Sequence, residues 1–168
     1  MSSANATVAS GPAAEGKVPL VLAEFLPYRF SIVAERMSRI FAERYEREFG
    51  VGIPEWRVMA VLGERMPRST QQVIEATETD RVKVSRAVIR LADKGLLARK
   101  PHLDDKRVHM LSLTRRGLGT YRQIVPHARR LQTELAAALT PEETQVLDRI
   151  LAKLHASSVS LVPRLQEA

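Results

Sequence analysis

The sequence predicts a mainly α-helical chain with one small β-hairpin. Three observations carry that expectation. Apolar residues recur at three- and four-residue steps along most of the chain; the one alternating stretch is short and lies between residues 96 and 113; and Gly, Pro and hydroxyl residues fall at the boundaries between stretches. At 168 residues, 45% hydrophobic and 27% charged, the chain can bury a core of ordinary size.

Each element follows from local chemistry. Over residues 20–49, Phe25, Ile32, Val33, Met37, Ile40, Phe41 and Tyr45 share one helical stripe. Gly50-Val51-Gly52 ends it, and Pro54 suits the first turn of a second helix, PEWRVMAVLGER, with Trp56, Met59, Ala60 and Leu62 or Gly63 inward. Met66-Pro67-Arg68 breaks the chain. Ser69 or Thr70 caps a short helix through Ala76, because a hydroxyl accepts a bond from an orphan N–H of the first turn. Thr77-Glu78-Thr79 is a tight turn, and TDRVKVSRAVIRLADKG, residues 79–95, supplies the next helix, with Gly95 as its stop.

Residues 96–101 and 107–113 read as two short strands joined by a charged tip. Thr114 caps a helix to about Leu139, which Pro126 is expected to kink or interrupt. Thr140-Pro141-Glu142-Glu143 has the spacing of a capping box. The last helix carries Val146, Leu147, Ile150, Leu151 and Leu154 on one side and runs to about Leu161. Residues 1–19 are small, polar and Gly/Pro-punctuated, which reads as a disordered tail and not a signal peptide.

Charge is concentrated. The net charge of +7 favours an anionic partner. Residues 80–118 hold eleven Lys and Arg against four Asp and Glu, a balance of +7, whereas residues 1–79 stand at −1 and 119–168 at +1. Within residues 79–95, Val84, Ala87, Val88 and Leu91 share one helical face, and Lys83, Arg86, Arg90 and Lys94 lie on another. A short helix, a tight turn and a second helix with a basic outer face describe a helix-turn-helix, and the hairpin after it a wing.

The stretch DRVKVSRAVIRLADKGLLARKPHLDDKRVHMLSLTRRG, residues 80–117, resembles the recognition helix, Lys-Gly-Leu turn, Asp-x-Arg wing tip and Ser-Leu-Thr-x-x-Gly helix start of the multiple-antibiotic-resistance-regulator (MarR) family of winged helix-turn-helix transcriptional regulators. Matching features span residues 25–161. The resemblance implies a homodimeric, cytoplasmic regulator, in the commoner case a repressor. Its divisions would be an N-terminal dimerisation helix over 20–53, a DNA-binding winged helix-turn-helix over 54–117 and C-terminal dimerisation helices over 118–168.

On that basis Arg81, Lys83, Ser85, Arg86 and Arg90 are expected at a pseudo-palindromic operator in double-stranded DNA, with Arg86 favoured for base reading and Arg90 left open between base and phosphate. Ser69, Thr70 and Gln71 would hold phosphate. The resemblance places Arg107 at the minor groove, oriented by Asp105, with Lys106 on phosphate. It also implies release of DNA by a small-molecule effector, an aromatic acid or its aromatic acyl-CoA thioester. Tyr28, Met37, Trp56 and Met59 could wall such a pocket, and Arg29, Arg36 or Arg57 could pair with a carboxylate or CoA phosphate; Trp56 and Met59 also suit plain core.

Other functions find little support. No P-loop, nucleophile elbow, His-Glu-x-x-His or dinucleotide fingerprint is present, so no catalysis is expected. With no cysteine and four scattered histidines, neither a metal nor a cofactor is expected. A membrane-surface protein would need a bulkier free apolar face than Val84, Ala87, Val88 and Leu91. An effector-independent DNA-organising protein is the other alternative.

Overall fold

The computed structural model describes residues 19–166, with side chains to residue 161. The expected N-terminal tail lies, up to residue 18, outside the described residues. Two compact units divide the chain, Met1–Ser38 and Arg39–Ala168.

The first unit contains the beginning of helix α1, Leu26–Phe49. The expected start near Leu20 moves to Leu26 because Pro27 suits a first turn and disfavours helix before it. Leu26, Phe30, Val33 and Met37 are all exposed.

The second unit takes α1 to its end and continues as α2 (Ile53–Glu64), β1 (Arg68–Ser69), α3 (Thr70–Thr77), α4 (Arg81–Asp93), β2 (Leu97–Pro101), β3 (His109–Leu113), α5 (Arg115–Ala136) and α6 (Pro141–Gln166). The hairpin is joined by a third strand, in the antiparallel order β1-β3-β2. Arg68 and Ser69 pair with Leu111 and Met110, and two residues are too few to show any periodicity. Among the described residues, no helix is long and apolar enough to cross a membrane.

Local chemistry sets the boundaries. Ser69 caps α3: its Oγ accepts from Gln72 N at 3.2 Å, and the Gln72 amide returns a bond to Ser69 N–H at 2.8 Å. Asp80 caps α4 by accepting from the N–H groups of Val82 and Lys83. Gly95, at φ +68°, closes α4. Thr114 caps α5, and Thr140 with Glu143 forms the reciprocal capping box of α6. Of the two effects expected of Pro126, a kink or an interruption, the interruption does not occur: α5 continues through it. The proline removes one backbone donor on an exposed face while the turns on either side remain bonded.

The core joins Val58, Met59 and Leu62 of α2 to Val84, Val88 and Leu91 of α4, with Leu111 of β3 and Ile124 of α5. It seats α4 and leaves the opposite side of that helix in solvent. Gly117 is the tightest point. A Cβ there would lie 1.9 Å from the Leu96 carbonyl oxygen, so α5 can begin beside the β2 strand only without a side chain. Gly119 has nothing within 4 Å of its would-be Cβ. Gly117→Ala is therefore expected to cost about 1–3 kcal/mol. Gly119→Ala is expected to gain about 0.5–1 kcal/mol from helix propensity. Thermal melts of the two variants would move in opposite directions.

Candidate nucleic-acid interface

On α4, Val84, Ala87, Val88 and Leu91 are buried, and Arg81, Val82, Lys83, Arg86, Ile89 and Arg90 are exposed. Among the described residues, Lys83 and Arg86 have no ion pair or side-chain hydrogen bond. Arg81 ties α4 to α3: its guanidinium donates to Gln71 Oε1 at 2.8 Å, while Gln71 Nε2 donates to Glu75 at 2.9 Å. Ser69 spends its hydroxyl on the cap, whereas Thr70, in the first turn, carries a backbone N–H of the kind that suits an anion. Thr70, Ser85, Ile89 and Arg99 line a small cleft of about 90 Å³ between α3, α4 and β2.

Arg90 is placed differently from Arg86. Its Nε donates to Glu55 Oε1 at 2.5 Å, and Lys94 Nζ approaches both Glu55 oxygens at 3.3 Å and the Gly50 carbonyl at 2.6 Å. Glu55 is buried at the start of α2, and Gly52 N–H donates to its Oε2 at 2.6 Å. Burial by itself would raise the Glu55 pKa. The Gly52 N–H, the Arg90 guanidinium and the Lys94 ammonium outweigh it and hold the carboxyl below its usual range.

At the wing, Asp105 Oδ1 accepts from the backbone N–H of Arg107 at 3.0 Å and from its Nε at 3.1 Å. Those two bonds hold the Asp105 pKa down. The Arg107 side chain is 93% exposed, and Lys106 beside it is also exposed. Both lie in the loop before β3, which starts two residues later than the expected strand.

The suggested effector residues fall into two groups. Tyr28, Arg29, Arg36 and Met37 are exposed on the first half of α1. In the second unit, Met59 is fully enclosed in the core and Arg57 is exposed. Trp56 is half-buried, stacked on Tyr121 with ring centroids 5.8 Å apart and edge-on to Tyr45 at 5.4 Å. Tyr45 is fully buried; among the described residues its hydroxyl has no partner, and burial, against a smaller opposing effect of Arg44, pushes its pKa to about 12.

Sequence reasoning missed Glu55 and Arg99. Glu55 stands three residues after Gly52, the spacing of a helix-start carboxylate, and that signal was readable. Arg99 was visible only as one charge among eleven, because its place beside Ser85 and Thr70 depends on how β2 meets α4.

Residues 49–108 match the model of the MarR family. That match runs from the end of α1 through α4 and β2 to the wing loop, and over this stretch the chain is similar to the MarR family. It is 26% identical over 109 residues to the HTH-type transcriptional repressor IacR of Pseudomonas putida, a match spanning 65% of each chain. It also resembles the solved structure of a MarR/EmrR family transcriptional regulator from Acinetobacter sp. ADP1, with a TM-score of 0.77 and 24% identity over 84% of this chain and 99% of that one. Bordetella bronchiseptica BpsR, whose structure concerns regulation of its DNA binding by 6-hydroxynicotinic acid, gives a TM-score of 0.74 and 23% identity over 82% of this chain and 97% of its own. These two likenesses carry the winged-helix fold.

Because folding lowers the Glu55 pKa, the carboxylate contributes its stability in full above the ordinary glutamate range and loses it as the pH falls through the lowered value. Glu55→Gln should remove that acid-side slope. Glu55→Ala should cost about 1–3 kcal/mol at pH 7 by leaving the Gly52 N–H and two cations without their acceptor. Urea unfolding at several pH values checks both.

Proposed function

We propose that the chain is a homodimeric, sequence-specific DNA-binding transcriptional regulator of the cytoplasm, a repressor that leaves its operator when an aromatic carboxylate or its acyl-CoA thioester binds. The observation that carries this is α4: a helix seated in the core on one side that presents Lys83 and Arg86 to solvent on the other. Arg86 is free to reach a guanine edge in the major groove, where its planar fork meets O6 and N7 together. Thr70, Ser85 and Arg99 suit phosphates beside the groove, and Arg107 at the wing, held by Asp105, suits the neighbouring minor groove.

Two further features favour the finer parts of the proposal. Val146, Leu147, Ile150, Leu151 and Leu154 of α6 are all exposed, and a second copy of the chain would cover them. The relative regulated by 6-hydroxynicotinic acid supports an aromatic acid as effector class. An effector acts here only by preferring the state that cannot hold DNA.

For a dimer making about 6–10 phosphate contacts, affinity should fall by roughly 10³–10⁵ between 50 and 200 mM salt. Fluorescence anisotropy with an operator-containing duplex measures this. Arg86→Glu should abolish specific binding while leaving the melting temperature unchanged, and near-constant affinity across that salt range would refute the proposal.

A further inference from the structure

The outward stripe of α4 is not purely basic. Val82 is 53% exposed and Ile89 is 50% exposed, and both are β-branched residues on the side of the helix opposite the core. Val82, Arg86, Ile89 and Asp93 follow one another at steps of four, three and four residues, so they share one stripe with Arg86 between the two apolar groups. One flank of that stripe carries Lys83 and Arg90, and the other carries Arg81 and Ser85. Branched side chains gain nothing from helix propensity, and in the free protein this pair gains little from burial. A surface that buries them must be anionic overall, to suit the surrounding cations, and must offer small apolar groups at its floor. The major groove of duplex DNA offers both, because each thymine projects a 5-methyl group there.

Resting on the DNA-binding proposal above, we infer that Val82 and Ile89 read thymine methyl groups on either side of the base contacted by Arg86. Seven residues of helix separate them by about 10 Å along the axis at 1.5 Å per residue. That distance covers about three base-pair steps of 3.4 Å. Ile89 also borders the cleft lined by Thr70, Ser85 and Arg99, where hydroxyl and guanidinium groups stand ready for the adjacent backbone. Each half-site should therefore hold two thymines about three base pairs apart, with the Arg86 contact between them.

The test starts from the full-length protein and a random-sequence duplex library. The enriched duplex is remade with deoxyuridine replacing thymidine one position at a time, which deletes only the methyl group. Affinity is then measured at fixed salt for the wild type, Val82→Ala and Ile89→Ala. Removing either methyl is expected to weaken wild-type binding about threefold to tenfold. The penalty at one thymine should vanish in Val82→Ala and at the other in Ile89→Ala. If the wild type shows no penalty, if the enriched site lacks such thymines, or if the penalty persists unchanged in both variants, the inference fails while the DNA-binding proposal stands. If no duplex is enriched at all, both fall together.

Discussion

Glu55 is the constraint on which the aim of the basic helix depends. A carboxylate buried at the start of α2 would be costly without partners, and here it has three: the Gly52 N–H behind it and the Arg90 and Lys94 cations from α4. Lys94 also reaches the Gly50 carbonyl. One acidic group thus fixes the turn after α1, the first turn of α2 and the C-terminal end of α4 against one another. Apolar packing presses α4 onto the core, but packing alone is not directional. The charged contacts set which way its outer stripe faces.

That helix shows how a short segment can serve two purposes without conflict. Its period of 3.6 residues separates the buried stripe, Val84, Ala87, Val88 and Leu91, from the exposed one that carries Arg86, and Arg90 at the edge joins the two through Glu55. The same logic at larger scale governs α6. Its apolar stripe is exposed in the single chain, and the second copy proposed above would cover it.

Much of this was legible in the sequence. Ser69, Thr114 and Thr140 announced helix starts because a capping hydroxyl acts within three residues of itself. Gly95 and the buried set Val84, Ala87, Val88 and Leu91 were readable for the same reason: helix stops and helix faces are local. The two-residue strand at Arg68 and Ser69 was not, since it exists only through its pairing with Met110 and Leu111, some forty residues away. At the candidate interface, the identities of the cations could be listed from sequence, but their availability could not. Arg86 and Arg90 look alike in a linear reading, and only the fold brings Glu55 to one of them.

That inequality has a consequence for how salt would report on the protein. Polyelectrolyte theory counts the small ions a ligand sets free from the duplex, one for each phosphate newly balanced by a cation. Arg90 already carries its own counter-charge in Glu55. Bringing it to a phosphate would exchange one anionic partner for another and leave a buried carboxylate less well compensated. The number of ions released would then understate the number of arginines within reach of the DNA, and the hidden one would be the arginine that braces the fold.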